Sequence, residues 1–282
     1  MNPSSRILRF VKMHGAGNDF VMVDHRGLEG IDLTPELVEF LCDRRLGVGG
    51  DGLIVLGPAS EPGPEPAYDF RMDYFNSDGR PAEMCGNGAR CTVAFASALG
   101  RCGQESRFAT ASGVLRGTIH GPGDVEVSMP GWRDLKLDPP VAGSPWPRLG
   151  FCNTGVPHLV VVLDRPEELE ELDVGRWGPF FRWHEAFGPG GTNVDWVVRD
   201  PGSGRVLQRT YERGVEAETL ACGTGASAAA VVLSHLHGLT GPVPVQTRGG
   251  DVLTVTVGDH AGDLRLRGPA VVSFTGEVSV HG

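Results

Sequence analysis

The sequence has 282 residues, 40% of them hydrophobic and 21% charged, with a formal net charge of −10 at pH 7. This composition indicates a soluble globular protein with enough chain for one large domain or two smaller ones. The negative charge has no offsetting basic run, which argues against a nucleic-acid or anionic-membrane surface and favours a small-molecule partner. The N-terminus lacks signal-peptide features, and no apolar run approaches the roughly 18 residues of a membrane helix, so we expect a cytoplasmic protein.

The predicted elements are short strands, a few helices and turns, as the 42 glycines and 21 prolines suggest. In the first half they are, in chain order, a helix at 35–41 capped by Thr34, a Pro/Gly-rich surface loop at 57–67, a strand at 69–75, a helix at 89–99, and strands at 113–120 and 125–129. In the second half they are irregular chain at 138–148, a helix at 174–183, a strand at 206–211, a helix at 226–236, and strands at 243–247, 251–257 and 263–267.

The two halves share a sequence pattern. The stretch YFNSDGRPAEMCGNGARC and the later stretch YERGVEAETLACGTGASA both contain Cys-Gly-x-Gly-Ala, and Tyr74 and Tyr211 each precede their cysteine by 11 positions (85 − 74 and 222 − 211). A helix made of small, apolar residues follows each cysteine, which predicts a helix buried on all sides. We therefore predict an α+β fold of two pseudo-symmetric copies, each a curled, barrel-like sheet around a central helix, with the active site in the cleft between them.

The duplication also predicts the domain boundaries. The first domain is predicted at 1–128, with a C-terminal strand at 271–282 returning to it, and the second domain at 129–270. Short-period repeats of the solenoid type are absent from the sequence.

Cys85 and Cys222 are the candidate catalytic residues because each comes directly before a predicted helix start. A helix N-terminus carries unpaired N–H groups and partial positive charge, which predicts a lowered thiol pKa and a bound anionic group nearby. Two facing acid/base groups suit inversion at a carbon with a weakly acidic hydrogen: one thiolate removes the proton and the opposite thiol donates one. Backbone N–H groups at both helix starts would hold the charge that develops on the substrate carboxylate.

Other interpretations of these residues are weaker. The remaining thiols, Cys42, Cys91, Cys102 and Cys152, are expected to be core residues, and no cysteine spacing predicts a metal site. No lysine stands in a setting typical of a pyridoxal Schiff base, so we expect no cofactor. The stretch GTGASA matches a dinucleotide fingerprint, which leaves a nucleotide-binding oxidoreductase as a distant alternative, but the expected βαβ unit is not evident. A pure binding module would have no use for reactive thiols.

Five ordered motifs resemble the diaminopimelate epimerase family: KMHGAGNDF, FNSDGRPAEMCGNGARC, GVPH, GTNVDWV and YERGVEAETLACGTGASA. The resemblance spans nearly the whole chain. It implies a pyridoxal-independent isomerase that interconverts LL- and meso-diaminopimelate for lysine and peptidoglycan synthesis, as a homodimer. In the LL-to-meso direction it implies that Cys222 accepts the proton and Cys85 donates one.

The resemblance implies further site residues. His158 and Glu212 would tune proton transfer near the thiols. The expected substrate-binding residues are those at the reacting carboxylate, Asn18, Gly86, Asn87, Gly223 and Thr224, and those at the distal end, Asn76, Asn193, Glu212 and Arg213. Arg213 would hold the distal carboxylate bidentately, and Glu212 would meet an ammonium group. The alternatives are a purely structural histidine at 158 and asparagines that satisfy their own turns at 76 and 193.

Two positions depart from the family pattern. Val156 stands where many members have Asn, and Gly52 where some have Gln. Neither departure touches the thiol pair, so the alternative substrate is another amino acid of the histidine or proline type, used with the same chemistry.

Overall fold

The computed structural model describes residues 5–61, 67–82 and 84–281. The strands are, in chain order, β1 Ser5–Gly15, β2 Asn18–Asp24, β3 Gly52–Gly57, β4 Phe70–Asn76, β5 Glu105–Thr110, β6 Gly113–Gly121, β7 Asp124–Ser128, β8 Arg133–Lys136, β9 Leu149–Asn153, β10 Pro157–Val162, β11 Asn193–Arg199, β12 Val206–Glu212, β13 Ala217–Thr219, β14 Pro242–Gln246, β15 Val252–Val257, β16 Leu264–Pro269 and β17 Val271–His281. The α-helices are α1 Pro35–Cys42, α2 Gly86–Ala98, α3 Pro166–Glu170, α4 Val174–Arg182 and α5 Gly223–His237.

The chain divides into two units, one formed by Met1–Val127 with Pro269–Gly282 and the other by Ser128–Gly268. In the first unit β17, β1 and β2 pair antiparallel, β2 and β3 parallel, β3 and β4 antiparallel, β4 and β5 parallel, and β5 to β7 antiparallel. The second unit repeats this alternation from β9 to β16, with β10 and β11 parallel and β12 and β14 parallel. The predicted α+β fold with two copies is confirmed.

Each unit has one helix packed against five of its own strands. Helix α2 packs against β1, β2, β3, β4 and β6, and α5 packs against β9, β10, β11, β14 and β15. The first three turns of α5 are buried, whereas its last turn, at His235 and His237, is exposed. The prediction of complete burial is therefore wrong for the ends of these helices and for Ala94, which is partly exposed within α2.

Both central helices begin three residues earlier than predicted. Cys85 and Cys222 have extended backbone and act as N-caps, so Gly86 and Gly223 are the first helical residues. Glycine is unfavourable inside a helix, so the sequence pattern predicted that each helix begins after its glycines. At the first turn the backbone needs no intrahelical N–H bond, and the cap compensates for the low propensity.

In each unit, the face of the sheet that does not contact α2 or α5 is covered by other helices of the same unit. In the second unit α3 and α4 cover a core that contains Trp196, Phe181 and Val194. In the first unit α1, capped by Thr34 as predicted, covers a core that contains Val21 and Leu53. The central strands are consequently buried on both faces: every residue of β3 is buried, as is every residue of β11 except Arg199.

The remaining predicted elements are found with small shifts at their ends. The stretch 138–148 has no regular structure, as predicted, and the loop predicted at 57–67 lies partly outside the described residues. Among the described residues, no helix is both long and apolar enough to cross a membrane.

Candidate active site

The thiol of the first unit stands at the start of α2. The Gly88 N–H points at the Cys85 sulfur at 3.5 Å, as expected for an N-cap. The same sulfur lies 3.5 Å from the side-chain oxygen of Asn18, which receives the thiol hydrogen. The N–H groups of Gly86 and Asn87 belong to the same first turn, where a helix offers them no carbonyl. The structure therefore brings these four predicted residues, Asn18, Cys85, Gly86 and Asn87, to one place.

The orientation of the Asn18 amide follows from its neighbours. Its nitrogen donates to Asp51 at 2.5 Å, and its oxygen receives the Asn87 amide at 3.4 Å and the Cys85 thiol. Asp51 is an acceptor only, so the Asn18 oxygen must face the sulfur. Arg44 holds Asp51 in turn, at 2.8 Å. The Asn18 oxygen thus accepts the S–H of Cys85.

A buried arginine supports the first turn of α2. Arg90 is fully buried and donates to the Asn87 side-chain oxygen at 2.8 Å and to the Gly86 carbonyl at 3.2 Å. A third bond, at 3.2 Å, reaches the carbonyl of Pro269, just before β17. The guanidinium places a positive charge under the helix start that carries Cys85, and it fixes the side chain of Asn87.

The thiol of the second unit has different neighbours. Cys222 caps α5 by accepting the Gly225 N–H at 3.4 Å, and its sulfur lies 3.3 Å from the hydroxyl of Thr224. The same hydroxyl lies 2.9 Å from Nε2 of His158, which is fully buried. His158, Cys222 and Thr224, with Gly223 between the last two, are therefore gathered in the second unit.

The pKa of the Cys222 thiol runs against the sequence argument. Burial raises this pKa well above its ordinary value, and the charges of Glu212 and Asp195 raise it further. Hydrogen bonds from Thr224 and Gly225 lower it, but by less. The prediction of a lowered thiol pKa is wrong for Cys222, because desolvation and two nearby carboxylates outweigh the helix start.

The predicted distal residues lie at strand ends. Asn193 is buried; its amide nitrogen donates to the Pro157 carbonyl at 2.9 Å, and its oxygen accepts the Arg213 N–H at 2.8 Å. These bonds fix the turn after β12, where Glu212 and Arg213 are partly exposed. The exposed Asn76 ends β4, and its backbone N–H donates to the carbonyl of Arg80 at 2.9 Å.

The surroundings of Gly52 leave no room for a side chain. A β-carbon at this position would stand 2.4 Å from the Phe75 carbonyl and 2.6 Å from the ring of Tyr74. The backbone of β4 fills the space that a longer side chain would need, so glycine fits this chain.

Sequence reasoning missed Asp195, which lies beneath the second helix start. It is fully buried and accepts hydrogen bonds from Nδ1 of His158 at 2.7 Å, from Thr210 at 2.7 Å and from Gln208 at 2.8 Å. The signal was present: an acidic residue interrupts the run NVDWVV, which otherwise reads as a buried strand. A charge in such a strand indicates buried hydrogen-bonding partners.

Two solved structures have the same fold as this chain. A hydroxyproline epimerase from Agrobacterium vitis superposes with a TM-score of 0.70 at 18% identity, covering 98% of this chain and 94% of that one. A PhzF-family phenazine biosynthesis protein from Bacillus anthracis superposes with a TM-score of 0.73 at 15% identity, covering 98% and 100%. The chain thus has the two-unit fold that these epimerase and PhzF-type proteins share.

The sequence comparisons identify the family within that class. A family model for diaminopimelate epimerase matches residues 10–132 and 150–274. The diaminopimelate epimerase of Aquifex aeolicus is 41% identical over 288 aligned positions, covering 96% of this chain and 98% of that protein. The enzyme of the same name from Gemmatimonas aurantiaca is also 41% identical, covering 96% and 99%. The chain belongs to the diaminopimelate epimerase family.

Proposed function

We propose that this protein interconverts LL- and meso-diaminopimelate by proton transfer between two thiols and the substrate α-carbon. The observation that carries the proposal is family membership over most of the chain, together with a cysteine that caps the central helix of each unit. No observation favours the alternatives, a different amino-acid substrate or a nucleotide-binding oxidoreductase.

In the proposed LL-to-meso direction, the Cys222 sulfur removes the α-proton from one face of the carbon and the Cys85 thiol donates a proton to the other. The roles exchange in the reverse direction. The first-turn N–H groups of Gly86, Asn87, Gly223 and Thr224 hold the carboxylate next to the reacting carbon, and stabilise the charge that develops on it. Asn18 orients the Cys85 thiol through the contact of 3.5 Å.

The distal end of the substrate is proposed to lie at the turn after β12. Arg213 binds the distal carboxylate and Glu212 the distal ammonium group, while Asn76 and Asn193 add amide contacts. Support comes from the two hydrogen bonds of Asn193, which hold this turn and still leave its amide one free N–H and one lone pair. Val156 offers no polar contact, so the remaining groups carry recognition of the distal end.

The proposal extends to the organisation of the protein. We propose that the domains are 1–128 with 271–282, and 129–270, with the active site in the cleft between them. We further propose a cytoplasmic homodimer that acts without pyridoxal phosphate or a metal ion, on a small amino-acid substrate, in lysine and peptidoglycan synthesis.

The test is the reaction itself, run on LL-diaminopimelate in D2O to low conversion. With two bases, deuterium enters the meso product and hardly enters recovered substrate. Cys85→Ser and Cys222→Ser should each lower kcat by at least ~10²-fold. Cys102→Ala is the matched control, because Cys102 is a partly exposed thiol away from both helix starts, and it should retain activity. Early label in both pools, or near-normal turnover by either Ser variant, would contradict the proposal.

A further inference from the structure

The Asp195 carboxylate is surrounded by hydrogen-bond donors. Thr210 and Gln208 both donate to its Oδ1, and His158 Nδ1 lies 2.7 Å from its Oδ2. Gln208 leaves its own side-chain oxygen without a partner among the described residues while its nitrogen serves Asp195. Because two donors converge on one oxygen of a buried carboxyl group, the arrangement suits a carboxylate, which accepts at both oxygens.

These contacts determine the direction of every bond in the chain that leads to Cys222. A carboxylate only accepts, so His158 carries its hydrogen on Nδ1 and leaves Nε2 as an acceptor. The hydroxyl of Thr224, 2.9 Å away, therefore donates to Nε2. With its hydrogen used there, the same hydroxyl oxygen accepts the S–H of Cys222 at 3.3 Å.

The cluster is fixed directly against the helix that carries the thiol. A β-carbon at Gly225 would stand 2.3 Å from Oδ1 of Asp195 and 3.0 Å from the amide nitrogen of Gln208. Asp195 lies two positions beyond the residue that pairs with His158, and so on the same face of the sheet. The carboxylate, the imidazole and the helix start thus form one packed group.

The first unit has no counterpart of this pair. Gly88 stands three residues after Cys85, as Gly225 does after Cys222, and a β-carbon at Gly88 would meet Ile54 where one at Gly225 meets Asp195. This match places Ile54 at the position of Asp195, and the pairing of β2 with β3 then places Phe20 at the position of His158. Apolar side chains occupy both positions in the first unit, so the carboxylate–imidazole pair belongs to the second unit.

We propose that Asp195 is a positioning residue that holds His158 in its Nδ1–H form, so that Thr224 relays the Cys222 proton to His158 Nε2. The inference rests on the proposed two-thiol epimerisation, and it identifies His158 as the base that takes the proton from Cys222 before Cys222 acts on the substrate. In the relay the S–H bond breaks as a new O–H bond forms on Thr224, and the original O–H bond breaks as Nε2–H forms. The products are a Cys222 thiolate and an imidazolium paired with the Asp195 carboxylate.

The relay offsets the negative charge that surrounds the Cys222 thiol. The charged groups that face Cys222 are the carboxylates of Glu212 and Asp195, and both oppose a thiolate. A proton kept on His158 leaves a positive charge near the sulfur and neutralises the effect of Asp195. The Cys222 thiol can then ionise inside the site, because its proton passes to His158 and not to water.

Asp195→Asn is the central test because geometry dictates how the amide must sit. With Thr210 and Gln208 donating at the Oδ1 position as they do here, the amide oxygen takes that position and the new NH2 group faces His158. His158 must then accept at Nδ1 and carry its hydrogen on Nε2, which reverses the relay. Thr210→Val is the matched control, since it removes another bond to the same carboxylate and leaves the bond to His158.

Two measurements read the relay without relying on turnover. Nitrogen NMR of histidine-labelled protein, with the His158 signals assigned through His158→Gln, should show hydrogen on Nδ1 in the parent and on Nε2 in Asp195→Asn. Alkylation by iodoacetamide at pH 7, followed by mass spectrometry of the peptides, should be at least ~10-fold slower at Cys222 in Asp195→Asn. Cys85 in the same molecules is the internal reference and should change less than about twofold.

Turnover supplies the third measurement. Asp195→Asn should lower kcat at least ~10²-fold, the scale of a displaced general base, with KM changed less than about threefold. Thr224→Val should lower kcat similarly, whereas Thr224→Ser keeps the hydroxyl and should stay within about threefold of the parent. Thr210→Val should leave the tautomer and the Cys222 alkylation rate as in the parent.

The outcomes separate this inference from the proposed function. If the parent protein turns over diaminopimelate but Asp195→Asn keeps the Nδ1–H form or the parent alkylation rate at Cys222, the relay is wrong and the epimerase stands. If Thr210→Val produces the same changes as Asp195→Asn, Asp195 is merely structural. If the parent protein does not turn over diaminopimelate, the proposed function fails, whatever the NMR and alkylation results.

Discussion

Gly225→Ala should be far more damaging than Gly88→Ala, although both glycines stand three residues after a capping cysteine. A methyl group at 225 meets the Asp195 carboxylate at 2.3 Å, and this group is buried and fully bonded. Overpacking costs about 1–3 kcal/mol, and a disturbed buried hydrogen bond about 1–3 more. The gain in helix propensity is at most about 1 kcal/mol, so the net loss of stability is about 1–5 kcal/mol.

At Gly88 the same methyl group meets the end of Ile54 at 2.8 Å and the end of Met72 at 3.1 Å. Both are tips of flexible apolar side chains that can shift, so overpacking costs about 1 kcal/mol and the propensity gain offsets it. Denaturant unfolding of both variants, followed by fluorescence, gives the two free energies. Equal losses, or a greater loss for Gly88→Ala, would refute the account of a rigid carboxylate under α5.

Further predictions concern pH and stability. Burial raises the pKa of Cys42 to about 11 and the pKa values of Cys91 and Cys152 to about 12. In the unfolded chain these thiols ionise near pH 9, so stability should fall above that pH by about 1.4 kcal/mol per thiol and pH unit, as urea titrations from pH 8 to 10 would show; a flat profile would contradict their burial. For Asp19, burial raises the pKa, but hydrogen bonds from Arg44 and a lysine outweigh it and set the pKa to about 2. The lowered pKa contributes stability that is lost as pH falls from about 4 to 2. Arg44→Met should remove up to about 1 kcal/mol of this stability at pH 5, measured as the difference in unfolding free energy between about pH 5 and about pH 2. If the parent protein and Arg44→Met show the same difference, the arginine contribution is ruled out.

Local signals were sufficient to predict the existence of the two central helices. A run of small, apolar residues after a Cys-Gly pair has a helical period wherever it stands, and Gly238, with a left-handed backbone, marks the end of α5. The start was misplaced because a cysteine is not among the usual N-caps, although its sulfur accepts the Gly225 N–H here. The role of a cap depends on local geometry that residue type alone does not specify.

Strand pairing was not predictable from the same signals. The parallel pairs β2 with β3 and β10 with β11 join segments about 30 residues apart, and their strands are buried on both faces. Such strands lack the alternation that reveals which face is inside. Their register depends on helices that pack from both sides, which is tertiary information.

At the candidate site, too, the sequence revealed some residues and not others. The capping thiols could be found because a motif occurs twice. The partners of Asp195 could not, because His158, Gln208 and Thr210 come from two other strands and meet only in the folded unit. The direction of the Cys222 pKa shift depends on this burial, and the helix-start argument alone gave the opposite sign.

The pairing of β17 with β1 has a consequence for the order of folding. The last strand of the chain completes the sheet of the first unit, with Arg6 opposite Val280 and Phe10 opposite Gly276. The second unit is a continuous segment, so all its strands are synthesised before β17. The unit that begins first is therefore the last to receive all of its strands, and its sheet keeps an open edge until β17 pairs with β1.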